Sequence, residues 1–428
     1  MDRFTIFTTF TKQRASPMHN EKKLGTFSLF NLWAGAAISL AEIMTGGLFA
    51  PLGLLKGILL ILAGHLIGCL LLSLTGLIGF REKKPALIAS RMAFGRYGSY
   101  LISAANIIQL MGWTAIMLIQ CANSISAITS KLAGFAGFAL FVAIVGAIVA
   151  VWALVVDKGS NALNSAAVIL LFVLCLLILG LVIGGRGVVS SSSARNAATT
   201  LSVGAALEMS IIMPLTWLPL ISDYTMQASS AKASFWGSFS GYFIGSSFMY
   251  ITGLAAVLFT GSSDIATIIL HLGIGVAGLL VVVLSTVTTT YLDVYSAVMS
   301  ILNIAPKVSK RLLILLMSAL GTLIALFFPM EQYENFLYAI GSIFAPAFAV
   351  VLLDYFVFHA DRSTTTFNAA GILSASLGTA AYYFFVKLDL PVGSTVPSML
   401  LTATVYAFFR SVLKDRNAQK CQQLRSGA

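Results

Sequence analysis

Apolar residues along this chain gather into twelve long runs separated by short polar stretches. The runs lie near 28–48, 52–79, 100–128, 135–156, 163–185, 203–224, 235–260, 268–300, 311–329, 335–358, 368–386 and 394–412. An α-helix needs about 20 apolar residues to cross a bilayer. A lone strand leaves its backbone unsatisfied in lipid, and a barrel strand is an alternating segment of about ten residues. The pattern therefore predicts an all-α membrane protein with twelve transmembrane helices.

Two runs depart from uniform apolarity. Run 1 contains the stretch from Trp33 to Gly47, with Gly35, Gly46, Gly47 and an acid, Glu42, near mid-depth. Run 6 contains the stretch from Met213 to Tyr224, with Pro214 and Pro219. Each proline removes a helix N–H and crowds the preceding turn. Glycine and proline are ordinary in membrane helices, so either run alone reads equally well as a simple kink. The two stand five spans apart, however, and interrupted helices at matching places in two halves point to an inverted-repeat transporter with its site at the midplane.

Composition narrows the class. Of 428 residues 58% are hydrophobic and only 10% charged, against about 45–50% and about 25% in a soluble domain. A chain so poor in charge cannot cover a water-facing surface, which excludes a soluble enzyme, a nucleic-acid binder and a disordered protein. The net charge of +11 reads as topology. With the N-terminus in the cytoplasm, 21 of the Lys and Arg residues fall in inside segments and 5 in outside segments. That bias predicts a cell-membrane protein with both termini cytoplasmic and the Ser190 to Ser193 run outside. Cys69, Cys121, Cys175 and Cys421 show no pairing or metal spacing and read as free thiols. The polar, basic first 24 residues carry no cleavable signal pattern, so run 1 is expected to be retained.

Ionisable groups at mid-membrane are costly and are functional candidates by default. Asp223 and Asp354 sit at the ends of runs and read as solvated anchors, while Glu208 could face a vestibule. Glu42 and Asp293 are deep, with no Lys or Arg at comparable depth. They are expected to meet a cation, a cationic substrate, a proton or polar donors; a protonated acid bonded between helices is the plainer alternative. Run 3 carries Asn106, Gln109, Trp113, Gln120 and Asn123 on one helical face. Trp113 and Trp217 both lie mid-span, suiting either a flat aromatic ligand stacked between them or ordinary helix packing. Run 8 holds Ser285, Thr286, Thr288, Thr289 and Thr290. Their hydroxyls can bond their own helix, or join carbonyls freed at a break to hold a hard cation. A membrane enzyme or a channel is disfavoured. His19, His65, His271 and His359 are scattered without ligand spacing, and no repeated filter motif is present.

With these residues in place, the chain resembles the nucleobase:cation symporter-1 family, which includes cytosine, allantoin and hydantoin permeases. The resemblance rests on Ser39 to Gly47, Gly112-Trp113, Thr216-Trp217 with Ser222-Asp223-Tyr224, the run 8 threonines, and Pro346 followed by Asp354-Tyr355-Phe356. It points to the branch that imports hydroxymethylpyrimidine, the pyrimidine precursor of thiamine. It implies a LeuT-like fold: two inverted five-helix repeats plus two C-terminal helices. The segments are then a tail over 1–27, a ten-helix core over 28–358 (repeats about 28–185 and 203–358), two extra helices over 359–412 and a tail over 413–428.

The resemblance further implies stacking by Trp113 and Trp217 and substrate hydrogen bonds from Gln109, Ser39, Thr216 and Asp293. It implies Na⁺ held by the Gly35 and Ile38 carbonyls and the Thr289 and Thr290 hydroxyls, with Thr288 replacing Thr290 if the register shifts. Asp293 stands where family members often carry Asn, and Glu42 where the cytosine type has a small polar residue. Both changes add an acceptor-only carboxylate. Such a group suits the amino edge of hydroxymethylpyrimidine and repels the ring carbonyl of cytosine. The expected activity is cation symport of that pyrimidine; a cytosine/purine or allantoin permease is the alternative. H⁺ could replace Na⁺, and no organic cofactor, protein partner or nucleic acid is expected.

Overall fold

The computed structural model describes residues 23–155, 161–185 and 201–412, with the side chains of 161–164 excepted. Residues 1–22 of the first tail, the whole of the second, the Ser190 to Ser193 run and Cys421 lie outside the described residues. Within them the chain is helical, and strand pairing is confined to one parallel bridge between Leu24 and Ala228. The first half contains α1 (Thr26–Ala37), α2 (Leu40–Gly47), α3 (Leu54–Glu82), α4 (Ala86–Ala89), α5 (Arg91–Phe94), α6 (Ser99–Ala133), α7 (Phe138–Val155) and α8 (Asn161–Ile183). The second contains α9 (Val203–Leu215), α10 (Ile221–Thr225), α11 (Ser238–Thr260), α12 (Ile265–His271), α13 (Val276–Ile304), α14 (Lys310–Phe327), α15 (Tyr333–Phe356), α16 (Ala369–Leu388) and α17 (Thr395–Val412).

Among the described residues nine helices are long and apolar enough to cross a membrane, and the bent α1–α2 pair makes a tenth. The pair α9–α10 and the helix α17 account for the remaining two runs. Run 8 needs correcting at its start. The chain there is the short α12, then Gly273 and Gly275, both at φ +75°, then α13. Glycine takes that left-handed conformation without the Cβ penalty, so one apolar run becomes two helices.

Both sequence breaks are real. The axes of α1 and α2 differ by 61°. Ile38 leaves the helical ladder at ψ 87°, and Ser39 is extended at φ −144° and ψ 160° before α2 starts. In run 6, α9 ends one residue after Pro214, Thr216 to Leu220 pass through tight turns, and α10 resumes at Ile221. Small residues let the elements around these breaks approach closely. A Cβ on Gly241 or Gly245 of α11 would press on Phe30 or Ala34 of α1. A Cβ on Gly253 would collide with the Ile43 carbonyl of α2, and one on Gly46 with the backbone of Tyr250. The broken first helix thus lies along α11 for its whole length. The second lies along α3, where Gly64 and Gly68 meet Ser210 and Ile211.

Candidate functional site

Gln109 of α6 reaches the second break. It is 3% exposed, and its Nε2 donates to the Thr216 carbonyl at 2.9 Å and to Asn106 Oδ1 at 2.8 Å. Asn106 Nδ2 in turn donates to Ser300 Oγ of α13 at 2.9 Å. The polar stripe of run 3 therefore joins the α9–α10 break to α13. Gln109 Oε1 is buried with no hydrogen-bond partner among the described residues. A buried acceptor without a hydrogen is expensive, so this oxygen is available to an incoming N–H or O–H. Thr216 lies beside it, its own hydroxyl donating to the Met213 carbonyl at 2.7 Å.

The two mid-span indoles stand in separate aromatic clusters. Trp113 meets Phe336 and Tyr333 of α15 edge-on, at centroid distances of 5.2 and 6.2 Å. Gly112 makes room, since a Cβ there would collide with the Phe336 ring. Trp217, half-buried in the second break, meets Trp33 of α1 edge-on at 5.5 Å, and its Nε1 donates to the Tyr242 hydroxyl at 3.1 Å. Trp33 also meets Tyr224 at 5.6 Å.

The buried acids have different surroundings. Tyr242 Oη donates to Glu42 Oε1 at 2.8 Å and Ser246 Oγ to Oε2 at 2.6 Å, so this carboxyl faces α11. Glu208, which the sequence left open to a vestibule, is 1% exposed and holds the α16–α17 connection. It accepts from Tyr382 Oη at 2.5 Å, Ser394 N at 2.6 Å, Thr395 N at 2.8 Å and Thr395 Oγ1 at 2.6 Å. Asp354 corrects the expectation of a solvated anchor: it is 1% exposed. Arg410 Nη1 donates to it at 2.8 Å, Tyr406 Oη at 2.7 Å, and Arg362 Nε lies 3.6 Å away. Asp223 accepts from the Ala86 N–H at the start of α4 at 2.8 Å. Asp293 is half-buried on α13, and no hydrogen bond reaches it among the described residues.

The run 8 hydroxyls donate to their own helix: Thr288 to the Ser285 carbonyl at 2.9 Å, Thr289 to the same carbonyl at 2.8 Å, and Thr290 to the Thr286 carbonyl at 2.6 Å. Each oxygen is left as an acceptor. Ile38 packs on an apolar cluster that also contains Leu279 and Val282 of α13. Gly35 faces α8, where a Cβ would touch Val168 at 3.8 Å. Ser39 is 8% exposed in the break itself. A small cleft lies farther along α2, lined by Met44, Gly47, Gln120, Gly253 and Ile268, and none of the substrate residues named from the sequence lines it. Sequence reasoning missed Trp33, His65, Tyr242, Ser246 and Tyr333. Only His65, a lone imidazole in an apolar run, carried a usable signal.

A family described as permease for cytosine/purines, uracil, thiamine, allantoin matches residues 17–384. The chain is similar to the cytosine permease of Escherichia coli (strain K12), 25% identical over 401 residues that cover 90% of this chain and 93% of that protein. Its fold is similar to the inward-facing conformation of Mhp1, with a TM-score of 0.77 at 18% identity over 94% of this chain and 96% of that one. A closed, bromovinylhydantoin-bound form of Mhp1, described as a nucleobase-cation-symport-1 family transporter, gives 0.74 at 18% identity over 93% and 96%. The LeuT-like arrangement expected from the sequence is therefore the fold. The relatives are permeases and not enzymes, and on the match across most of its length this chain belongs to the family of permeases for cytosine/purines, uracil, thiamine and allantoin.

Proposed function

We propose that this permease is a cation symporter that imports a pyrimidine with an exocyclic amino group, and that the substrate lies between the two broken helices. The observation that carries the reading is Gln109. Its amide is fixed to the Thr216 carbonyl in the second break, and its Oε1 has no hydrogen. An amino group on a flat ring supplies that hydrogen, while Trp113 and Trp217 supply faces on either side. Ser39 and Thr216 carry the hydroxyls of the two breaks, and Asp293 is the acceptor on α13 that no hydrogen bond reaches among the described residues. Glu42 is withdrawn onto α11 and acts on the substrate through Tyr242 and Trp217 rather than by contact.

Asp293 favours hydroxymethylpyrimidine, whose amino edge pairs with a carboxylate. The similarity to the Escherichia coli permease favours cytosine as the second reading. Competition by both compounds against labelled cytosine, in proteoliposomes of the purified chain, separates them. Stronger competition by hydroxymethylpyrimidine supports the first reading and stronger competition by cytosine the second. Failure of both to bind overturns the site.

The coupling cation fits Na⁺ at the first break. The Ile38 carbonyl lies outside the ladders of α1 and α2, and Gly35 O receives only a long 3.3 Å bond from Ile38 N. The Thr289 and Thr290 hydroxyls, with Thr288 as the register alternative, have their hydrogens on backbone carbonyls, and such oxygens suit a hard cation. A bound Na⁺ would supply positive charge at the break and tie α13 to it. Both termini on the cytoplasmic side complete this reading.

A further inference from the structure

Glu42 does not stand alone. Ser246 Oγ, 2.6 Å from Glu42 Oε2, is also 2.5 Å from His65 Nε2 on α3. The other imidazole nitrogen, Nδ1, lies 2.9 Å from the Ile61 carbonyl and 2.7 Å from Ser210 Oγ, which itself donates to Ile61 O at 2.7 Å. Glu42, His65, Ser210 and Ser246 are all buried.

Counting hydrogens decides what this arrangement holds. A carbonyl cannot donate, so Nδ1 carries the hydrogen that faces Ile61 O. Two contacts then remain, Glu42 to Ser246 and Ser246 to Nε2, and Ser246 owns one hydrogen. One more is required. With it on Oε2, Glu42 donates to Ser246 and Ser246 donates to Nε2. With it on Nε2, His65 donates to Ser246 and Ser246 donates to the Glu42 carboxylate. Passing between the two states breaks one O–H and one N–H or O–H bond, forms the equivalent pair across Ser246, and conserves charge. Without the extra proton a buried acceptor is left bare, which is costly.

We infer that Glu42 and His65 hold one exchangeable proton between them across Ser246, a proton-binding site behind the first break. Tyr242 links it to the substrate region, because the hydroxyl that donates to Glu42 Oε1 also accepts from Trp217 Nε1. The other titratable groups around the pair are Cys69 of α3, Tyr250 of α11, stacked edge-on to His65 at 4.7 Å, and Tyr333 of α15, bonded to Thr45 of α2.

The link to binding rests on the nucleobase reading, and the proton site does not, so two measurements on the purified full-length chain separate them. Acid–base titration without substrate should show wild type taking up one proton more than Glu42→Gln, whose amide supplies the missing hydrogen permanently. Superimposable curves overturn the site. Binding of labelled cytosine should weaken on the order of tenfold per pH unit on the alkaline side in wild type and show no such limb in Glu42→Gln. In Ser246→Ala, which keeps both titrating groups, the limb should move to lower pH. A pH-independent wild type overturns the link. The proton difference without binding of any pyrimidine leaves the site standing and overturns the nucleobase reading.

Discussion

Glu42 and Glu208 are the same residue, both buried, one on each broken helix, and they are held in opposite ways. Glu208 meets two backbone N–H groups and two hydroxyls. The N–H groups can only donate, so they fix Oε2 as an acceptor, and Gly393 at φ +71° shapes the turn that aims them. Glu42 meets two hydroxyls, each able to donate or accept, and one of them leads to an imidazole. Partners that cannot reverse make an anchor. Partners that can reverse make a site where a proton moves at little structural cost.

The contrast is broken most severely at the anchor. Glu208→Ala should leave four buried donors without an acceptor, and at about 1–3 kcal/mol for each such group the protein should fail to accumulate in the membrane, read by immunoblot. Glu42→Ala leaves hydroxyls that can turn to one another's acceptors and should retain membrane protein. Equal loss of both would erase the distinction.

Next come the indoles. Trp217→Ala removes both a ring face and the donor to Tyr242, and Trp113→Ala removes only a face. Each should weaken pyrimidine binding by about 1–3 kcal/mol, and only Trp217→Ala should also alter the pH profile. Saturation binding at several pH values checks this.

Asp293→Asn exchanges one acceptor for a donor on the unpartnered acid. It should weaken hydroxymethylpyrimidine by about 1.5–3 kcal/mol, the value of a bond to a charged group, and relatively improve cytosine. An unchanged preference in competition assays would remove Asp293 from the substrate edge.

The smallest effect is expected for Glu208→Gln. The amide can keep its oxygen on Ser394 N and Thr395 N while the Tyr382 and Thr395 hydroxyls turn to accept. The cost should be about 1 kcal/mol, the difference between a charged and a neutral hydrogen bond, measured by thermal unfolding in detergent.

How far the sequence carried depended on how local each cause was. Pro214, Pro219 and the Gly35 to Ser39 stretch act on their own backbone, so both breaks were legible. Helix ends were placed within a few residues wherever polar residues flank a run. The α12–α13 division was missed because Gly273 and Gly275 read as ordinary glycines in an apolar run until their φ values are known. The partners of Glu42, Glu208 and Asp354 were illegible for another reason. Tyr242, Ser246, Thr395, Tyr406 and Arg410 lie from 52 to 204 positions away, and nothing in a single sequence pairs an acid with a distant hydroxyl.

The bridge before α1 has a consequence in time. Leu24 pairs with Gln227 and Ser229, and α1 packs mainly on α11. The partner strand and the partner helix are both made about 200 residues later, and at about 5–20 residues per second of synthesis that delay is on the order of 10–40 s. During it the first helix waits in the membrane with its glycine-matched face uncovered. Nascent chains stalled before Gly237 should therefore leave Trp33 open to lipid-soluble quenchers, and chains stalled after Thr260 should shield it.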